Sequence, residues 1–302
     1  MSAYRASVRS VNRGGAVGAA GLVLIGLICQ DIGAASAVTL FPQVGALGMV
    51  TLRLAFSAII LLAVFRPRLR GRSRADWLTV VAFGLALALM NGLFYEAIAR
   101  VPLGTTVTLE VLGPLILSVV VSRKASAWLW AVLAFAGVAI LGWGGWDDLD
   151  PVGVLFACGA SIMWVCYILL SARTGRHFAR LDGLAIAMAI GAVVAIPFGV
   201  TTAGPRLFHV DVLLIGVAVA VLSSAIPYGL ELLALRRLPA ATFSILMSLS
   251  PALAATAGLL ILHQAVTIPD IIAIVLVVIA SMGAVRAAAR GEREAPVILP
   301  GE

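Results

Sequence analysis

Ten stretches of the chain stay apolar for about 20 residues each, the length an α-helix needs to cross the hydrocarbon of a bilayer. They fall near residues 16–40, 45–65, 76–98, 102–121, 126–145, 152–172, 183–200, 212–235, 239–262 and 268–286. The connections between them are short and leave no room for a soluble domain. In hydrocarbon every backbone amide and carbonyl has to be paired inside the protein, so segments of this kind are helical. Composition agrees: 62% of the 302 residues are hydrophobic and 12% charged, about half the charge of a soluble chain. The expected class is an all-α integral membrane protein. Its first span has a basic start and an Ala35-Ser36-Ala37 sequence, like a cleavable signal. Its apolar stretch is too long for one and carries Gln30 and Asp31, so it reads as a retained span.

The placement of the cations sets the expected topology. With the N-terminus inside, the inner segments carry Arg5, Arg9 and Arg13, then Arg66, Arg68, Arg70, Arg72 and Arg74, then Arg123, Lys124, Arg173, Arg176, Arg180, Arg236, Arg237, Arg286, Arg290 and Arg293. The outer loops carry only Arg100 and Arg206. This asymmetry places both termini in the cytoplasm and requires an even number of spans. It also accounts for the net charge of +7 without a nucleic-acid partner. The basic run at 66–74 is a topology signal first and a contact for anionic lipid second.

The chain repeats itself. Moving residues 90–115 along by 137 positions lays Arg100, Pro102, Thr105 and Pro114 on Arg237, Pro239, Thr242 and Pro251. Five spans per repeat is an odd number, so the second half is expected upside down relative to the first. Inverted repeats with a site near the midplane are an architecture of alternating-access carriers. The expected units are a tail at 1–15, a first module at 16–145, an inverted second module at 146–286 and a tail at 287–302.

Ionisable groups inside spans are few, and a charge at mid-span costs roughly 2.5–3.5 kcal/mol on insertion scales. Glu110 lies in the fourth span, four residues before Pro114, which frees the Glu110 carbonyl. Thr106, Glu110 and Gly113 share a face at helical spacing. Asp31 lies in the first span. Arg53 lies in the second, where it suits a structural pair with Asp31 or Glu110 or a substrate carboxylate. In the eighth span Ser224, Tyr228 and Glu231 form a stripe beside Pro227, which frees the Ser223 carbonyl. Asn91 and Tyr95 in the third span, with Trp164 and Tyr167 in the sixth, are further candidates to line a pathway. Glu96 reads as a rim residue. Pro114, Pro227 and Pro251 mark helix breaks suited to gating. Spans five and ten, without mid-span charge, are expected at the periphery. Cys29, Cys158 and Cys166 lie in apolar spans, and His177, His209 and His263 in scattered loops, so neither a disulfide framework nor a metal site is expected. Nothing in the chain matches a Walker A loop, GxSxG or HExxH, which excludes nucleotide hydrolysis.

With these residues in view, the chain resembles the EamA-type branch of the drug/metabolite transporter superfamily, and within it the bacterial threonine/homoserine exporters. The stretches that carry the resemblance are FPQVGALGMVTLRLAF around Arg53, NGLFYEAIARVPLG, LEVLGPL around Glu110, WVCYILLSAR from Trp164 and IPYGLELLALRRLPAATFSILMSLSPALAA. The resemblance implies ten transmembrane helices as two inverted five-helix EamA modules in the bacterial inner membrane, and efflux of small metabolites, above all amino acids. Two positions depart from the exporter pattern. Ser250-Pro251 stands where it has Glu-Pro, and His263-Gln264 where it has Gly-Glu.

The expected function is thus export of small amino acids, with no cofactor and with protons as a candidate coupling ion. Glu110 or Asp31 would hold the substrate ammonium, and Arg53, Asn91, Tyr95 or Tyr228 its carboxylate. Aromatic amino acids, drugs or other metabolites are the alternative cargo. A membrane-embedded enzyme or a sensor would need a catalytic constellation or an output domain, and the sequence has neither. A cytoplasmic C-terminus predicts that green fluorescent protein fused after Glu302 fluoresces, while alkaline phosphatase fused there stays inactive. The reverse pair of results would overturn the topology.

Overall fold

The computed structural model describes residues 2–122, 125–143, 149–178, 181–227, 230, 234 and 246–294. Among them every regular element is a helix. In order they are α1 (Ser2–Val38), α2 (Phe41–Phe65), α3 (Arg74–Ile98), α4 (Leu103–Glu110), α5 (Leu112–Ser122), α6 (Ala125–Trp143), α7 (Pro151–His177), α8 (Asp182–Ala203), α9 (Val210–Ala220), α10 (Ser250–Leu262) and α11 (Ile268–Glu294). A π turn, Val221–Ala225, continues α9. Six of these helical segments are long and apolar enough to cross a membrane, and four shorter apolar ones accompany them: Leu103–Leu117, Trp128–Ile140, Val210–Ala225 and Ser250–Leu262.

Local sequence explains where helices begin and break. Ser73 opens α3 with a reciprocal capping box. Its hydroxyl accepts from the Asp76 amide at 3.1 Å, and the Asp76 carboxylate accepts from the Ser73 amide at 3.0 Å. Asp150 caps α7, with Pro151 in the first turn where no amide is needed. Gly45 interrupts α2 at φ 71°, a conformation that favours glycine, just where the second apolar span was expected to start. The fourth span was expected as one helix over 102–121. Instead α4 ends at Glu110 and α5 begins at Leu112, because Pro114 cannot donate to the Glu110 carbonyl.

The helices pack through small residues. Helix α2 lies along α8, α3 along α7 and α8, α4 against α10, α6 against α11, and α1 against α10, α9 and the π turn. A Cβ on Gly84 would come within 2.8 Å of the Ala187 carbonyl, and one on Gly113 would fall on the Ser161 backbone. Thr51 adds an interhelical hydrogen bond to the Ala195 carbonyl at 2.8 Å. Helices α3 and α7 are also tied at their ends. At one end Arg100 pairs with Glu96 and reaches Asp150. At the other, Arg72 donates to the His177 carbonyl at 2.8 Å and His177 faces Asp76 at 3.2 Å. Large aliphatic side chains such as Leu155, Leu214 and Ile268 stand exposed, as on a lipid-facing surface. Helices α6 and α11 likewise expose Leu129, Val132, Phe135, Ile271 and Val275.

The contact at Gly113 gives a direct check. Gly113→Val places branched carbons on the Ser161 backbone and should cost about 1–3 kcal/mol through overpacking. Thermal unfolding of the purified protein in detergent measures it, and an unchanged midpoint would contradict the packing described.

Candidate functional site

The site begins with a carbonyl. Pro227 lacks the amide that would normally pair with Ser223, and the chain loosens there into the π turn. Arg53, from α2, donates from Nη2 to the Ser223 carbonyl at 3.1 Å and from Nη1 to the Tyr95 hydroxyl at 3.4 Å. Its guanidinium carbon lies 5.4 Å from the centroid of the Tyr95 ring, within cation–π range. Tyr95 is fully buried between Phe41 and Phe94, with ring centroids 5.9 and 5.8 Å away. One cation thus joins α2, α3 and the end of α9.

Two carboxylates complete the cluster. Asp31, from α1, is buried, and Glu110, at the end of α4, is half-buried. Glu110 is close enough to feel the charge of Arg53, and Asp31 that of Glu110. Yet no salt bridge within 4.0 Å joins any two of these three residues. The expectation of a structural ion pair for Arg53 is therefore corrected. A freed carbonyl, which also needs a donor and sits within reach, took the guanidinium first.

The surroundings are short of partners. Asp31 Oδ2, Arg53 Nε, and the hydroxyls of Ser57, Ser223 and Ser224 are buried without a hydrogen bond. Each such group costs about 1–3 kcal/mol when left unpaired. These groups lie on α1, α2 and the π turn, and α1 meets the turn where Gly33 backs on Ser223. Such concentrated strain marks a functional site better than a structural one. Ser57 was not singled out from the sequence. Its signal was there, four residues beyond Arg53 on the same helix face.

The other candidates divide. Asn91 is buried one turn before Tyr95 on α3, with its amide donating to the Leu87 carbonyl at 2.8 Å. Tyr167 is half-buried, its ring 5.3 Å from that of Phe83, and Trp164 packs half-buried on the core. Thr106 is buried on α4, but Gly113 lies beyond the break, so the expected face Thr106–Glu110–Gly113 is not one continuous stripe. Pro114 follows the break between α4 and α5, Pro227 follows the π turn, and Pro251 is buried in the first turn of α10. Tyr228 and Glu231 lie outside the described residues. Among the described residues no group of three or more His, Cys, Asp or Glu could hold a metal ion.

The roles of Arg53 and Tyr95 can be separated. Arg53→Gln leaves the Ser223 carbonyl without its charged donor and should lower stability by about 1.5–3 kcal/mol. Tyr95→Phe keeps the ring packing, loses one long hydrogen bond and should cost about 0.5–1.5 kcal/mol. Unfolding midpoints of the two variants in detergent test this ordering, and equal losses would refute it.

Comparison with known proteins follows the same direction. The profile of the EamA-like transporter family matches residues 151–286. Threonine/homoserine exporters RhtA from Salmonella typhimurium (strain LT2) and Escherichia coli (strain K12) are 41% and 40% identical to the chain over 264 residues, covering 87% of it and 89% of each relative. A solved crystal structure superposes with a TM-score of 0.58 at 18% identity, over 89% of this chain and 98% of that one. That last likeness is one of fold.

Proposed function

The chain belongs to the EamA-like transporter family, and from that premise we propose that it is a secondary carrier that exports small amino acids across the bacterial inner membrane by alternating access. The observation that carries this reading is the cluster of Asp31, Arg53 and Glu110, drawn from three helices and not closed into an ion pair. Glu110 lies within the field of Arg53 and Asp31 within that of Glu110, so the three groups are one positive charge short when both carboxylates are ionised. A substrate ammonium or a proton supplies it. The substrate carboxylate is taken by Arg53, whose Nε is unpaired. The threonine and homoserine named for the relatives have this zwitterionic core and a hydroxyl, which the buried serines suit.

Two inverted five-helix repeats are the proposed frame. Six long apolar helices and four shorter ones among the described residues support a reading as ten spans. The pairing supports a two-fold relation between modules 16–145 and 146–286. Helix α2 pairs with α8, α4 with α10 and α6 with α11, while α3 on α7 matches α9 on α1. Residues 151–286, which match the family profile, fall inside the second module. Both termini are cytoplasmic on this reading.

Coupling to protons assigns Glu110 the proton, bound in one facing state and released in the other. In proteoliposomes with an imposed pH gradient, Glu110→Gln should leave folded protein in the membrane and abolish the pH dependence of threonine uptake. Unchanged pH dependence would remove Glu110 from that role. Saturable uptake without a gradient in the wild type would make the protein a facilitator.

A further inference from the structure

Helix α4 starts behind Pro102, which has no side-chain oxygen to cap it. The first amide of the helix, at Leu103, needs an acceptor from elsewhere. Gln264 supplies it from the other half of the chain, its Oε1 accepting from the Leu103 amide at 3.0 Å. The turn that ends α10 aims it there. His263 takes a left-handed φ of 54°, and the amides of His263 and Gln264 both return to the Gly258 carbonyl, that of Gln264 at 3.1 Å. Gly258 leaves room for this contact, since a Cβ there would lie 2.5 Å from Gln264 Oε1 and the glutamine side chain would have to shift. Beside this contact α4 and α10 touch almost backbone to backbone, since a Cβ on Gly104 would lie 2.5 Å from that of Ala255. Between them is left a cavity of about 20 Å³, lined by Pro102, Gly104, Thr105, Ala255, Gln264 and Asp270 among others.

We propose that Gln264 is the latch of the gate at the end of the molecule expected to face the periplasm. It holds the start of α4 on the end of α10 and must release the Leu103 amide before the site around Arg53 can open to that side. The proposal rests on the carrier reading above. Glutamine does not titrate, so the contact between Gln264 and the Leu103 amide carries no charge of its own. A carboxylate there would add a charge that favours the helix N-terminus. The titratable neighbours are His263 beside it and Asp270 of α11, whose carboxylate already accepts from the Thr267 amide and hydroxyl at 2.8 and 2.6 Å. The first turn of α4 and the last turn of α10 hold none.

The test places a cysteine at Thr105, which is buried beside the cavity, and labels it in spheroplasts with a membrane-impermeant thiol reagent. The parent protein with its native cysteines is the blank. Adding Gln264→Ala should speed labelling about tenfold, the effect of one lost helix cap. Adding Gln264→Glu should slow labelling relative to Gln264, and more so as external pH rises. If Gln264→Ala does not fold, Gln264→Glu, which keeps an acceptor oxygen, carries the test alone. Labelling unaffected by the substitutions overturns the latch. Threonine efflux from the same cells separates the two readings. Altered labelling without efflux keeps the latch and removes the amino-acid cargo, whereas efflux with unaltered labelling removes the latch alone.

Discussion

Within a bilayer, a backbone carbonyl that loses its amide has to be paired from elsewhere in the protein, and the centre of this structure follows from that constraint. Pro227 strands the Ser223 carbonyl, the helix widens into a π turn, and Arg53 reaches across from α2 to take the acceptor. The guanidinium is then held against Tyr95. Once a cation is fixed at that depth, carboxylates become tolerable around it. Glu110, at the end of α4, lies within reach of that charge, and Asp31 of α1 within reach of Glu110.

The same logic recurs where other helices are interrupted. Pro114 divides the fourth span into α4 and α5, and Gly113 beside the break lets α7 approach at Ser161. Pro102 leaves the start of α4 uncapped, and Gln264 caps it from the far half of the chain. The Ser223 carbonyl and the Leu103 amide are thus each paired by a side chain from another element. A bond between elements can be exchanged as they move, whereas a bond inside a helix cannot. The broken helices therefore gather both the polar chemistry and the contacts that a carrier would have to remake.

Much of the fold was legible because the solvent imposes it. Apolar length picks out the membrane helices, and the prolines mark the break at 114 and the loosened turn before 227. The Ser223 carbonyl could be named as needing a donor before any partner was known. What could not be read was the donor. Arg53 was expected to seek a carboxylate, since charge is the stronger attraction in isolation, but the nearby carbonyl has no other remedy. Ser57 lay on the Arg53 face and passed as an ordinary small residue. Gln264 stood out only as a departure from a pattern, with no sign that it reaches Leu103.

From the sequence alone it follows that this is a bundle of membrane helices, that proline disturbs it at 114 and 227, and which few charges a bilayer has to accommodate. Those properties depend on local composition and on the proline ring. Only the tertiary structure decided which groups satisfy the breaks and which charges meet. Arg53 and Ser223 are 170 residues apart, and Gln264 and Leu103 161. Contacts over such separations are set by how whole helices pack through glycine and alanine, and no local periodicity records that.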